Sequence, residues 1–324
     1  MRYVVYGAGA VGGVIGANLH LAGVPTTLVA RGPHLAAIQR DGLALDAADG
    51  TRALDVAAVG SAREVAWTDD TAVLITVKSH QTHDALEDLT AHAPDDVVAV
   101  SAQNGVANEA AILRRFAGTY GICVMLPSGH VQPGVVVQRC HPTPGILDVG
   151  RFPHGVDQTA IAIAEDLRLA GFESVPRPDI MAWKHRKLIM NLGNAVQACC
   201  TPGPAFDELA DRVRAEGETV LETAAVPTVT AAADRERRGD ILQSTRHRSI
   251  RGGSTWQSMA RRTGQVETDY LSGEIVLLGR LHGVPTPANV LVQRTAHVLA
   301  LSRGEVGSLD AADLLARLPS VPSG

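Results

Sequence analysis

Short β-branched apolar runs fill the first half of the chain, and apolar residues at helical spacing fill the second. Tyr3–Tyr6, Thr26–Val29, Val73–Val77 and Val97–Ser101 are predicted strands. Between the first two, Val11, Ile15 and Leu19 recur every fourth residue, which predicts one helix ending at Gly23. Residues 42–59 predict a hairpin inserted after the second βα unit. Two more strands are expected at Tyr120–Met125 and Val135–Gln138, and then a helix from about Asp157 to Ala170. Strands alternating with helices predict a parallel sheet covered by helices.

Pro176 and Pro178 bracket a boundary, and Asp179 is placed to cap a new helix. Almost everything beyond has helical period, broken at Thr201-Pro202-Gly203-Pro204 and Arg251-Gly252-Gly253. One helix is expected from Glu267 to about His282, closed by Gly283, and a last one from about Ala288. The fold class is therefore α/β: a doubly wound parallel sheet over residues 1–177, then an all-α domain over 178–324.

Composition narrows the function. The 324 residues fit two domains, and 45% hydrophobic with 19% charged residues suffices for packed cores. A net charge of −5 with both signs interspersed leaves no basic patch for nucleic acid. No apolar run approaches the ~18 residues of a membrane span, and the first strand starts too early for a signal peptide, so a cytoplasmic location is expected. Cys123, Cys140, Cys199 and Cys200 show no metal-ligand spacing, and His80 with His83 reads as a solvated helix start, so no metal site is expected.

Gly7-Ala8-Gly9-Ala10-Val11-Gly12 follows the first strand and opens a helix, the context in which GxGxxG binds a dinucleotide in a Rossmann-type domain. Gly7 permits the turn, Gly9 lets backbone approach a pyrophosphate, and Gly12 lets helix pack on strand. The second strand runs Thr26-Thr27-Leu28-Val29-Ala30-Arg31 without the acid that would bond a ribose 2′-hydroxyl. Arg31 suits a 2′-phosphate instead, which points to NADPH. Lys78 supplies a second cation, or is an ordinary solvated strand end.

Further along stand Gln103-Asn104-Gly105, then Trp183-Lys184-His185-Arg186-Lys187-Leu188 with Asn191, and Val266-Glu267-Thr268-Asp269-Tyr270. With Gly7–Gly12 and Val77-Lys78, these motifs resemble, in order and over essentially the whole chain, those of ketopantoate reductases. The resemblance implies an NADPH-binding first domain and a helical domain like the C-terminal domain of 6-phosphogluconate dehydrogenases. It also implies reduction of the small-molecule 2-keto acid 2-dehydropantoate to (R)-pantoate, on the route to pantothenate and coenzyme A. Lys187 then matches the catalytic lysine, Asn104 lies between nicotinamide and substrate, and Glu267 contacts substrate or orients the lysine. Ser254, with Gln257, resembles a substrate-binding stretch.

On a helix, Trp183, Lys187, Asn191 and Asn194 share one face. Lys184 and Arg186 are expected to be solvated. The family's second Asn would fall at Ala195, whereas here Asn194 stands one place earlier, where the far end of the substrate is held. A different 2-keto acid or an imine therefore remains open. Asn104-Gly105 followed by Glu267 speaks against a 6-phosphogluconate-type dehydrogenase, and a non-catalytic NADP sensor would have little reason to keep Lys187, Asn191 and Glu267 together. A homodimer also stays open.

Overall fold

The structure is a computed structural model and describes residues 1–130, 132–244, 253–260 and 264–319. The first elements in chain order are β1 (Arg2–Tyr6), α1 (Ala10–Leu21), β2 (Thr26–Val29), α2 (Gly32–Asp41), β3 (Leu43–Ala47), β4 (Gly50–Leu54), β5 (Ala57–Val59) and β6 (Thr71–Ile75). Then come α3 (Thr82–His92), β7 (Val98–Ser101), α4 (Asn108–Leu113), β8 (Thr119–Met125), β9 (Ser128–Gly129), β10 (Val135–Gln138), β11 (Ile146–Arg151) and α5 (Gln158–Leu169). The remainder is helical: α6 (Ile180–Cys199), α7 (Pro204–Thr223), α8 (Ala231–Arg238), α9 (Ser254–Ala260), α10 (Ser272–His282), α11 (Pro287–Leu301) and α12 (Ala311–Leu315). Two compact units result: Met1–Lys184 with Thr230–Arg248, and His185–Val229 with Ser249–Gly324. The chain thus returns to the first unit after entering the second, a crossing that a single cut between 177 and 178 does not describe.

In the first unit seven strands run in the order β11-β8-β7-β6-β1-β2-β5, all parallel except the β11–β8 pair. Side chains alternate between faces with period two. Tyr3 and Val5 of β1 join Val14, Ile15 and Leu19 of α1 and Ile163 and Leu167 of α5 in one core. Val4 and Tyr6 join Leu86 and Leu89 of α3 and Ile112 in the other. Burial on both faces is what a parallel sheet requires.

The hairpin expected over 42–59 forms only in part. β3 and β4 pair with each other, but β5 leaves them to pair with β2 in the main sheet. β3 instead joins β10 and β9 in a second sheet of order β4-β3-β10-β9. That sheet covers the outer side of α1, and Gly13 records it: a Cβ there would lie 2.5 Å from Val136 Cγ1 of β10. Gly12 faces the main sheet instead, where a Cβ would lie 2.3 Å from Gly7 O and Thr76 Oγ1.

β11 was not foreseen. Its Asp148 is 1% exposed in the middle of the strand, accepts from Arg177 Nε (3.1 Å), and takes two bonds from Arg237 (2.9 and 2.7 Å). Arg237 belongs to α8, so Asp148 fastens the returning segment to the sheet. Further along, Asp157 caps α5 by accepting from Ala160 N (2.9 Å).

The second unit is all helix among the described residues, apart from an isolated bridge between Cys200 and Leu309. Ala288, Val292, Ala296 and Ala300 form a buried i, i+4 stripe on α11. Its N-terminus is closed by a distant acid: Glu216 of α7 accepts from Ala288 N (2.8 Å), Asn289 N (2.9 Å) and Asn289 Nδ2 (2.9 Å). The single helix expected from Glu267 is broken at Leu271 (φ −119°, ψ −92°), so a 3-10 turn over Thr268–Tyr270 precedes α10. Gly283 closes α10 in the left-handed region (φ +72°) as expected. The breaker at Arg251-Gly252 lies outside the described residues.

Candidate functional site

The carboxyl ends of β1, β2, β6 and β7 lie along one edge of the main sheet, the edge at which open α/β sheets hold ligands. Chain order reverses beside β1, whose neighbours are β2 and β6. Gly7–Gly12 emerges there. Gly7 turns at φ +113°, and Gly7 N and Ala8 N both donate to Val29 O (3.0 and 3.1 Å). Thr76 Oγ1 donates to Gly7 O (2.7 Å), fixing the turn from β6. The first intrahelical bond of α1 runs from Gly13 N to Gly9 O (2.7 Å), so the N–H groups of Ala10, Val11 and Gly12 precede it at the helix N-terminus. A Cβ on Gly9 would meet nothing within 4 Å. The loop thus offers open space directly over a helix N-terminus, the shape a pyrophosphate needs.

Arg31 lies two residues past β2 at the N-cap position of α2, with its side chain exposed. Its guanidinium Nη2 donates to Tyr6 Oη (3.1 Å), and the Tyr6 hydroxyl donates to Asp88 Oδ2 (2.6 Å). Burial first, and then Asp88, push the Tyr6 phenol up to about 12, so it stays a neutral donor. Asp88 Oδ2 also accepts from Ala62 N (2.8 Å). Tyr6 and Asp88 had no place in the sequence reading, because a Tyr in a buried strand and an acid on a distant helix carry no local signal.

A second support was equally hidden. Gly134 N donates to His34 Nδ1 (2.9 Å), so the ring proton sits on Nε2 and is donated to Ala8 O (2.7 Å). Burial lowers the pKa of this imidazole. His34 therefore ties α2 and the β9–β10 connection to the glycine turn.

Lys78 stands half-buried three residues past β6, which ends at Ile75, two residues earlier than the predicted strand. Asn104 follows β7 in a turn where Gly105 takes φ +81°. The two loops are laced together. Gln103 Nε2 donates to Val77 O (2.8 Å) and Thr82 Oγ1 (2.9 Å), and Asn108 Nδ2 donates to Ser79 Oγ (3.2 Å) and Asn104 O (3.3 Å).

Lys184 and Arg186 correct the expectation of a solvated helix face. Lys184 is 3% exposed and pairs with the fully buried Glu109 (Nζ–Oε1 2.5 Å). Arg186 is largely covered and donates to Val229 O (2.7 Å) and Glu218 Oε1 (2.8 Å). Trp183 is also engaged, with the Arg177 guanidinium 4.1 Å from its ring centroid.

In the second unit, Lys187, Asn191 and Asn194 lie on one unbroken helix at i, i+4 and i+7. Lys187 and Asn194 are half-buried and Asn191 is buried. Glu267 is buried and stands at the N-cap position of the 3-10 turn before α10. Ser254 opens α9, and its side chain lies outside the described residues. Gly253, just before it, donates its N–H to Gln197 Oε1 (2.7 Å), and a Cβ there would lie 3.1 Å from Asn194 Oδ1. Asn194 and Gln197 therefore meet the start of α9. Among the described residues no cluster of His, Cys, Asp and Glu could hold a metal ion, and no helix is long and apolar enough to cross a membrane.

Two family models cover most of the chain: "Ketopantoate reductase PanE/ApbA" matches residues 3–154 and "Ketopantoate reductase PanE/ApbA C terminal" matches 179–300. The chain belongs to the ketopantoate reductase family. Among its relatives, the 2-dehydropantoate 2-reductase of Mesorhizobium japonicum is 30% identical, over 94% of this chain and 99% of the relative. That of Pyrococcus horikoshii is 26% identical, over 90% and 95%. The ketopantoate reductase of Ralstonia eutropha superposes with a TM-score of 0.79 at 25% identity, covering 94% of this chain and 99% of that one. D-mandelate dehydrogenase, solved with NADH and anilino(oxo)acetate, shares the fold with a TM-score of 0.79 over 94% and 99% of the chains, at 19% identity. As a family member the chain is an oxidoreductase acting on CH–OH groups.

Proposed function

We propose that this chain reduces a 2-keto acid with NADPH, and that 2-dehydropantoate, converted to (R)-pantoate for pantothenate and coenzyme A synthesis, is its substrate. One observation carries the cofactor choice: Arg31, held by Tyr6, follows a second strand that has no acid. A planar guanidinium suits a 2′-phosphate, which NADH lacks. Lys78 adds charge from the neighbouring loop, and residues Gly7 to Gly12 cradle the pyrophosphate on the α1 N-terminus.

NADPH, when bound, would supply a hydride to the keto carbon. The carbonyl electron pair would then pass to oxygen, where the site must neutralise it. Lys187 donates its proton there and is recharged from solvent. Asn191, Asn194 and Ser254 bind the substrate, Glu267 orients the lysine or the substrate, and Asn104 stands between nicotinamide and substrate. The common face of Lys187, Asn191 and Asn194 on α6 supports these roles.

A second reading, reduction of another 2-keto acid or an imine, is favoured by the place of Asn194. With Gln197 it gathers at Gly253, whereas Ala195 occupies the position of the family's second Asn. NADPH oxidation by the pure protein across a panel of 2-keto acids and imines separates the two. Fastest turnover of 2-dehydropantoate supports the first. A much faster alternative substrate replaces it.

A further inference from the structure

The Lys184–Glu109 pair lies deep in the first unit, with side chains 2% and 0% exposed. Lys184 donates to backbone carbonyls on two separate elements and stands as an ion pair to a carboxylate on a third. Glu109 Oε1 of α4 lies at 2.5 Å, Gln103 O in the turn after β7 at 2.8 Å, and Ile122 O of β8 at 3.2 Å. Room for the pair comes from Gly121 on β8, where a Cβ would sit 3.3 Å from Glu109 Oε1 and 3.5 Å from Lys184 Cδ.

Burying two opposite charges gains little stability over apolar residues of the same volume, because both lose water. What such a pair does supply is fixed geometry, and the geometry here converges on one turn. The Lys184 ammonium grips the Gln103 carbonyl. The Gln103 side chain holds Val77 O and Thr82 Oγ1, and Asn108, the neighbour of Glu109, holds Asn104 O. The peptide that precedes Asn104 is thus bonded on its oxygen by a charge that cannot turn away.

We propose that Lys184 and Glu109 are positioning residues for Asn104, setting the Gln103-Asn104-Gly105 turn in the one place where Asn104 serves the reaction. This rests on the reading that puts Asn104 at the reacting centre. The pair itself acts only through that turn.

The test uses the full chain carrying Glu109→Gln, or the neutral pair Lys184→Met with Glu109→Gln, assayed well below their melting temperatures. Amide hydrogen exchange is followed across residues 102–107, alongside kcat, KM and the NADPH Kd. Exchange in that turn should accelerate about tenfold or more in the neutral pair. The kcat should fall about 10- to 100-fold, as for a small misplacement of a reacting group, with little change in NADPH Kd. Asn104→Ala added to the neutral pair should then cost far less than it does alone. A lowered melting temperature with wild-type exchange and kcat makes the pair merely structural and overturns the proposal, as does failure of both variants to fold. Asn104→Ala in the intact protein checks the underlying reading separately. Unchanged kcat there removes Asn104 from the reacting centre, while the exchange measurement still shows whether the pair holds the turn.

Discussion

Arg31 Nη2 lies 3.1 Å from the hydroxyl oxygen of Tyr6, and that hydroxyl donates onward to Asp88, so the cation at the end of β2 is braced before any ligand arrives. A charge-assisted bond contributes ~1.5–3 kcal/mol, or roughly one to two decades of affinity. Arg31→Ala should therefore erase most of the preference for NADPH and leave NADH affinity nearly unchanged. Tyr6→Phe, which removes only the brace, should weaken NADPH binding by a smaller factor. Fluorescence titration with both cofactors measures each effect, and equal affinities in the unmutated protein would sink the NADPH reading.

Acid should loosen the glycine turn through His34. Its folded-state pKa lies below the ordinary value of 6.5, because burial opposes the charged form. The unfolded chain therefore takes up this proton first as pH falls. The resulting loss of stability begins near 6.5 and continues until the folded imidazole itself protonates. Protonation also puts a hydrogen on Nδ1, which now accepts from Gly134 N. Thermal unfolding of the ligand-free protein between about pH 7 and 5 should show a slope that His34→Gln reduces. An identical slope in the variant would assign the effect to other groups.

Glu216→Ala should destabilise the second unit. The carboxylate accepts three bonds at the start of α11, two of them from N–H groups with no intrahelical partner. Its loss should cost about 2–3 kcal/mol. Urea unfolding would register this as a lower midpoint at unchanged slope. A change below about 0.5 kcal/mol, the range of ordinary surface substitutions, would mean that water replaces the cap.

Much of this was readable from sequence where the cause is local. β2 and β10 run over the predicted residues, Asp157 and Gly283 end their helices as expected, and Gly7–Gly12 sits where its spacing puts it. The misses share a cause, which is partners far apart in the chain. β11 escaped because the buried Asp148 breaks its apolar run, and the residues that make that burial tolerable, Arg177 and Arg237, lie far downstream. Lys184, set among His185, Arg186 and Lys187, looks solvated until Glu109 is folded against it. The break at Leu271 likewise leaves no composition signal, since the residues on either side suit a helix.

If Lys187 protonates the oxygen formed on hydride delivery, single-turnover and steady-state reduction of 2-dehydropantoate by Lys187→Ala will show it. General acid catalysis contributes ~10²–10⁴-fold, so kcat should fall by about that factor while the NADPH Kd, measured separately, barely moves. Arg212→Ala, which removes an exposed cation paired with Glu208 on α7, is the control for lost positive charge and should keep its rate. Near-normal kcat in Lys187→Ala, or equal losses in the two variants, would contradict the account and send the search for the proton donor elsewhere.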